Sequence, residues 1–116
     1  MTSKDEIQSF LQDFHVKMGI WGIIVRDDRG KNTQTLFDLE ITKDYRNRVL
    51  MALKVEDYCD GPLEEKLYGG ADMWIFGKEI KGREIYIKIS LGYKGMQVIC
   101  ISFHVAERPL SYPHKL

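Results

Sequence analysis

Cysteine is scarce in this sequence: only Cys59 and Cys100 occur among its 116 residues. They lack the CxxC spacing of a zinc or redox motif, and the chain lacks the cysteine density of a small disulfide-stapled domain. The scarcity therefore excludes a disulfide framework as the basis of the fold. We expect a reduced, cytoplasmic protein.

Long apolar runs and an excess of charge are also missing. The first residues, MTSKDEIQSF, lack the apolar core of a signal peptide, and no run is long enough to cross a bilayer. The 17 basic and 17 acidic residues cancel, so no global field attracts nucleic acid or anionic membrane. Residues 76–116, however, hold 7 basic and 3 acidic residues, which permits a local phosphate-binding patch.

Clusters of metal-ligating residues are not apparent either. Asp27 and Asp28 are adjacent, but no further carboxylates converge on them in the sequence. His15, His104 and His114 have no ligand spacing. We predict neither a metal site nor a cofactor.

The first half of the chain contains two helical patterns. Ser3 and Glu6 form a capping box before apolar residues at i, i+3, i+4 and i+7, namely Ile7, Phe10, Leu11 and Phe14. Gly19 is expected to end this helix, and a strand is expected over 20–26. Thr42 predicts the start of a second helix that extends to about Leu53, with Tyr45, Val49, Ala52 and Leu53 on one stripe.

The segments between and after these helices are less regular. Asp27-Asp28-Arg29-Gly30 has the composition of a type I turn. Residues 33–41 are ambiguous between a short strand and a loop, and we favour a strand. Residues 63–71 are expected to form a surface connection, and residues 106–116 an extended tail.

From residue 72 onward the pattern has a period of two, which predicts a three-stranded antiparallel meander. In 84–91 the apolar Ile85, Ile87 and Ile89 alternate with polar residues. In 96–104 the alternation predicts Ile99, Ile101 and Phe103 on one face, with Cys100, Ser102 and His104 opposite. The sheet is expected to have one apolar face and one polar face.

These patterns together predict one α+β domain over residues 1–116. Two main helices would pack on one face of a mostly antiparallel sheet of four to five strands. No repeat, low-complexity tract or linker interrupts the chain.

The polar sheet face is predicted to carry Tyr86, Lys88 and His104. Metal-free RNA cleavage needs a base for the 2′-OH proton, a cation for the phosphorane and an acid for the leaving oxygen. Imidazole exchanges protons near neutral pH, so His104 is a candidate acid/base group. Tyr86 would transfer a proton or position the phosphate, and Lys88 would lower its pKa.

Four further cations are candidate phosphate ligands, because charge-assisted hydrogen bonds suit phosphate oxygens. They are Lys78, Arg83, Arg29 and Lys31. The alternative interpretation is that these charges, and the Tyr86 and His104 side chains, simply belong to solvated strand and turn surfaces.

Four short motifs in this order resemble the MqsR family of bacterial toxins. They are Glu56-Asp57-Tyr58 after the second helix, a strand led by Trp74, Tyr86-Ile87-Lys88-Ile89, and Ser102-Phe103-His104 near the end. The resemblance covers roughly residues 45–104. It implies a RelE-like fold and an mRNA endoribonuclease, with RNA as substrate and a cognate antitoxin protein as partner.

The resemblance also assigns individual residues. The family's strand tyrosine corresponds to Tyr86, and its basic residue after Ser-Phe corresponds to His104. A family lysine corresponds to Asp60 and a glutamine to Ile75, so two positions depart from the pattern. The rival interpretation is a module of the same fold that binds protein or RNA without cleaving it.

Overall fold

A computed structural model of the protein describes residues 1–27, 29–64 and 70–116. The described residues form three α-helices, a short 3-10 helix at Val55–Asp57 and five β-strands. The elements in chain order are α1 (Lys4–Trp21), β1 (Ile23–Val25), α2 (Lys31–Leu39), α3 (Lys43–Met51), β2 (Tyr58–Leu63), β3 (Met73–Ile80), β4 (Arg83–Ser90) and β5 (Val98–Val105). The predicted α+β class is confirmed.

Helix α1 follows its sequence signature at the start but not at the end. Ser3 and Glu6 form the predicted capping box. The predicted stripe is buried and is extended by Met18. The helix does not end at Gly19; it continues to Trp21 and ends at Gly22, which has φ 82° and donates to Met18 O over 2.9 Å. The predicted strand over 20–26 is therefore reduced to the three residues of β1.

Helix α2 replaces the strand predicted over 33–41, and it is the reason that the fold has three helices where two were expected. Its buried residues are Asn32, Thr35 and Leu39, at i, i+3 and i+7. Two of these three are polar, so the helical period was hidden from an apolar pattern. Our strand prediction was wrong because it used apolar residues alone.

Helix α3 begins as predicted, since the Thr42 side chain accepts from Tyr45 N over 3.0 Å. It ends at Met51, and its buried residues are Arg46 and Leu50. Tyr45 is exposed, so the predicted stripe was rotated relative to the real one.

The five strands form one sheet in the order β1-β5-β4-β3-β2. Strand β1 pairs with β5 in parallel, and the other neighbours are antiparallel, so the predicted meander of β3, β4 and β5 is confirmed. Helix α1 covers the apolar face, where Phe10 stacks on Trp74 with ring centroids 4.4 Å apart. The opposite face of the sheet carries the polar side chains of β4 and β5.

A one-residue shift in register moves Cys100 to the apolar face. Lys88 pairs with Ser102 but Ile89 pairs with Cys100, so Ile101 is an extra residue in β5. Cys100 is fully buried in the core with Phe103. The prediction that Cys100 shares a face with Ser102 and His104 was wrong, because alternation cannot reveal an inserted residue.

The buried thiol makes stability sensitive to alkaline pH. Burial raises the pKa of Cys100 from 9.0 to about 12. Above pH 9 the unfolded chain loses this proton while the folded chain keeps it, so the free energy of unfolding falls as pH rises toward 12. We expect a loss of about 1 kcal/mol from this thiol by pH 10. Urea unfolding at pH 8 and pH 10 measures it.

The matched variant is Cys100→Ala. It should be less stable at both pH values, because it leaves a small cavity, but its loss between them should be smaller by the contribution of the thiol. An identical loss in both proteins would show that Cys100 does not titrate differently on unfolding.

The remaining connections are partly described. In the predicted turn, Gly30 N donates to Asp27 O over 3.0 Å, while Asp28 lies outside the described residues. So do residues 65–69 of the connection predicted over 63–71. Residues 106–116 contain no helix or strand, as predicted.

Candidate functional site

Tyr86 and His104 lie side by side on the polar face of the sheet. They are direct partners in the register of β4 and β5. Their ring centroids are 5.4 Å apart and their planes differ by 24°. Cross-strand partners face the same side of a sheet, so the two rings share one side of the molecule. The predicted juxtaposition of the phenol and the imidazole is therefore present.

Lys88 joins this pair from two residues further along β4. Its Nζ lies 5.8 Å from the centroid of the Tyr86 ring, within cation–π range. Its strand partner is Ser102, on the same face of β5. The three residues that the sequence proposed for catalysis thus form one group, which we call the Tyr86–Lys88–His104 group.

The backbone fixes which nitrogen of His104 can act as a base. The Nδ1 atom lies 3.0 Å from Val105 O. A carbonyl oxygen only accepts hydrogen bonds, so Nδ1 carries the proton in the neutral ring. The Nε2 atom then has a free lone pair. A hydrogen bond from a histidine to a backbone carbonyl can be purely structural. Here it also fixes the tautomer in which Nε2 can accept a proton.

The environment of Tyr86 keeps the phenol protonated. Burial raises the pKa of this side chain, and Asp60 and Cys59 raise it further. We expected a lowered pKa beside Lys88, but the pKa of Tyr86 is raised, chiefly because the phenol is partly buried. At neutral pH Tyr86 is a hydrogen-bond and proton donor rather than a base.

Two of the four predicted phosphate ligands are close to the group. Arg29 and Lys31, from the turn before α2 and its first residue, line a recess with Lys88 and His104. Arg83 lies at a neighbouring rim, in a shallow depression that includes Arg29 and His104.

Lys78 lies elsewhere. It is the strand partner of the buried Ile85, which puts it on the opposite face from Tyr86. Its Nζ is 3.3 Å from Asp57 Oδ1. The structure does not bring Lys78 to the Tyr86–Lys88–His104 group. The sequence already indicated this, because Lys78 alternates in phase with the apolar Phe76 and Ile80.

A further recess beside the group, lined by Tyr86, Lys88 and His104 among others, has a volume of about 470 Å³. Its lining contains the basic residues Arg29, Lys88 and Arg108 and the acidic residue Glu107. Arg108 and Glu107 were not among the predicted site residues, because they belong to an irregular tail in which no periodicity shows where a side chain points.

Glu107 is held by a cation from another element. Its carboxylate forms a salt bridge with Lys31. The hydrogen bond and charge of Lys31 lower the pKa of Glu107, with smaller contributions from His104 and Arg29. Glu107 therefore stays ionised at neutral pH, and it competes with any phosphate for Lys31.

The C-terminal residues form one wall of the recess. We call residues 106–112 the C-terminal strap. Ala106 N donates to Glu84 O over 2.8 Å, Leu110 N donates to Glu84 Oε1 over 2.9 Å, and Tyr112 Oη donates to Glu84 Oε2 over 2.8 Å. One residue of β4 thus anchors the strap at three points.

Gly77 lets the strap lie directly on the sheet. A Cβ atom at this position would lie 2.7 Å from Leu110 Cδ1 and would also collide with the Tyr112 ring. Gly77 is the strand partner of Tyr86, so the strap crosses the sheet in the same row as the phenol.

The two positions that depart from the MqsR pattern fall in one row with Lys88. Asp60 pairs with Ile75, Ile75 pairs with Lys88, and Lys88 pairs with Ser102. Asp60 thus puts a carboxylate two strands away from the ammonium. It contributes to the raised pKa of Tyr86 described above.

Comparisons with protein-family models, curated proteins and solved structures find no match to this chain. Within residues 1–27, 29–64 and 70–116, no group of three or more His, Cys, Asp or Glu side chains is arranged to hold a metal ion. Among the same residues, none of the helices is both long and apolar enough to cross a membrane.

Proposed function

We propose that the protein is a metal-independent endoribonuclease that cleaves mRNA. The proposal is carried by one observation, the pairing of a protonated phenol at Tyr86 with an imidazole at His104 whose Nε2 is free. An acid and a base next to each other, with cations around them, are what transesterification of RNA requires.

The proposed reaction starts with His104. Its Nε2 takes the proton of a ribose 2′-OH, and the 2′-oxygen attacks the adjacent phosphorus. The new P–O2′ bond forms as the P–O5′ bond breaks. Lys88 and Arg29 offset the additional negative charge on the phosphorane, because both line the same recess as His104.

Tyr86 acts on the leaving group. Its phenol gives a proton to the departing 5′-oxygen. This transfer is favourable even with the raised pKa of Tyr86, since an alkoxide is far more basic than a phenolate. The protonated His104 next to it then returns a proton to the phenolate. The products are a 2′,3′-cyclic phosphate and a 5′-hydroxyl end, and both side chains recover their starting protonation states.

We extend the proposal to a RelE-like toxin that is held inactive by a cognate antitoxin protein. Its support is the resemblance to the MqsR family, with the two matched residues Tyr86 and His104 adjacent in the sheet. Positions that the resemblance links to function are thus neighbours on one face.

The second candidate is a module of the same fold that binds RNA or protein without cleaving it. Asp60 favours it, because a carboxylate near the phenol and the ammonium makes the face less suited to stabilising a dianionic phosphorane. Under this proposal RNA binds to the polar face and remains intact.

Removing the phenol tests the proposed reaction. We expect Tyr86→Phe to slow cleavage of a single-stranded RNA by about 100-fold, the lower end of the usual contribution of a proton-transfer group, because the leaving oxygen loses its proton donor. The rate is measured with purified protein in the presence of EDTA, and the product ends are identified by mass spectrometry.

The matched control is Tyr93→Phe, which removes the same hydroxyl from an exposed tyrosine between β4 and β5. It should cleave at the wild-type rate. A substrate with a 2′-deoxyribose at the cleavage position should resist. If Tyr86→Phe cleaved as fast as wild type, the phenol would have no part in the chemistry; if wild type bound RNA without cleaving it, the second candidate would hold.

A further inference from the structure

The recess beside the Tyr86–Lys88–His104 group is lined by two kinds of residue. Its basic residues are Arg29, Lys88 and Arg108. Its apolar residues, Ala106, Pro109 and Leu110, all belong to the C-terminal strap. A volume of about 470 Å³ is within the range of small-molecule sites, ~300–1,000 Å³.

We infer that this recess is a subsite for a single nucleotide, with the phosphate bound by its basic residues and the base packed against Pro109 and Leu110 of the strap. The inference rests on the proposed function, because it places one nucleotide of the RNA beside the reacting groups. It goes further in giving the C-terminal strap the role of recognising the base.

The strap is built to hold its apolar side chains in place. Leu110 donates its N–H to one oxygen of Glu84, and Tyr112 donates to the other. The absence of a side chain at Gly77 lets Leu110 and Tyr112 contact the sheet directly. A surface that is fixed before binding loses little entropy when a flat ring packs on it.

A second recess differs from this one in charge. Its lining includes Phe10 and Trp74, and its volume is about 540 Å³. Its lining includes four acidic residues, Asp5, Glu6, Asp13 and Asp72. These carboxylates would repel a phosphate, whereas three cations and one carboxylate line the recess under the strap.

The test compares three probes that share a phosphate. Inorganic phosphate, ribose 5-phosphate and adenosine 5′-monophosphate are titrated into the full chain, and amide NMR spectra give both the dissociation constant and the residues affected. We expect the nucleotide to bind about tenfold more tightly than ribose 5-phosphate, since packing of the base adds to the phosphate contacts. The Leu110 amide should shift only with the nucleotide.

Leu110→Ser should reduce this preference to less than about twofold and leave the affinity for ribose 5-phosphate unchanged. Leu110→Met should restore it, and Leu116→Ser, at the exposed C-terminus, should behave as wild type. Equal affinities of wild type for the nucleotide and the sugar phosphate would overturn the subsite, whether or not the variants fold.

Failure of the subsite can be distinguished from failure of the proposed function. A nucleotide preference that depends on Leu110, in a protein that does not cleave RNA, would retain the subsite and reject the endoribonuclease. Cleavage of RNA that depends on Tyr86, without any preference for the nucleotide, would retain the endoribonuclease and reject the subsite.

Discussion

His104→Ala is expected to lower the rate of RNA cleavage by about 10²- to 10⁴-fold, the usual contribution of a general acid–base group. The effect should exceed that of Tyr86→Phe, because without the imidazole nothing in the group accepts the 2′-OH proton while Tyr86 stays protonated. Binding of RNA should change much less, since Arg29, Lys88 and Arg108 remain in the recess. Single-turnover cleavage and a binding titration separate the two quantities.

Chemical rescue gives this prediction a second readout. Free imidazole added to His104→Ala should restore part of the rate, because a small base can enter the space left by the side chain. The control is His15→Ala, in which the lost imidazole contacts Leu50 O between α1 and α3. It should keep the wild-type cleavage rate. Wild-type cleavage by His104→Ala would remove His104 from the mechanism.

The sequence predicted the central feature of the site because short-range rules determine it. A period of two sorts the residues of β4 by face, and a short connection between neighbouring strands makes them antiparallel partners. Tyr86 and His104 are therefore expected on the same face, whereas their direct pairing also depends on the register of β4 and β5. The same rule applied to β3 would have separated Lys78 from the group.

What the sequence did not predict depends on contacts between distant residues. The extra residue Ile101 inverts the alternation at Cys100, and nothing in the local pattern indicates it. The C-terminal strap reaches the site because Glu84 accepts a hydrogen bond from Leu110 N and because Gly77 has no side chain to block the strap. Helix α2 was missed because its buried face includes Asn32 and Thr35, which are polar.

Asn32 is the polar residue whose burial explains how α2 is attached to the sheet. Strand β1 pairs with three residues of β5, Val98–Cys100, and among the residues that the structure describes no strand pairs with this edge of β5 beyond them. There the side-chain amide of Asn32 forms the hydrogen bonds to β5 that a strand would otherwise form. Its Nδ2 donates to Ile101 O over 3.1 Å and also to Arg26 O, and its Oδ1 accepts from Phe103 N over 2.8 Å.

Asn32→Ala should therefore reduce the free energy of unfolding by about 3 kcal/mol. The side chain is only 7% exposed, so its loss leaves two carbonyls and one N–H with poor access to water. Each such group costs about 1–3 kcal/mol. Urea unfolding measures the change. Gln34→Ala, on the exposed side of the same helix, should stay within about 0.5 kcal/mol of wild type.

Asn32→Asp separates hydrogen bonding from packing, because it keeps the shape of the side chain. The carboxylate can still accept from Phe103 N, but it cannot donate to Ile101 O or Arg26 O and places a negative charge against both. We expect it to be at least as destabilising as Asn32→Ala at neutral pH. A stability equal to wild type would show that Asn32 acts through volume alone. Because Lys31 directly precedes Asn32 and Arg29 lies three residues before it, both variants should also weaken RNA binding, which would link the attachment of α2 to the basic residues of the polar face.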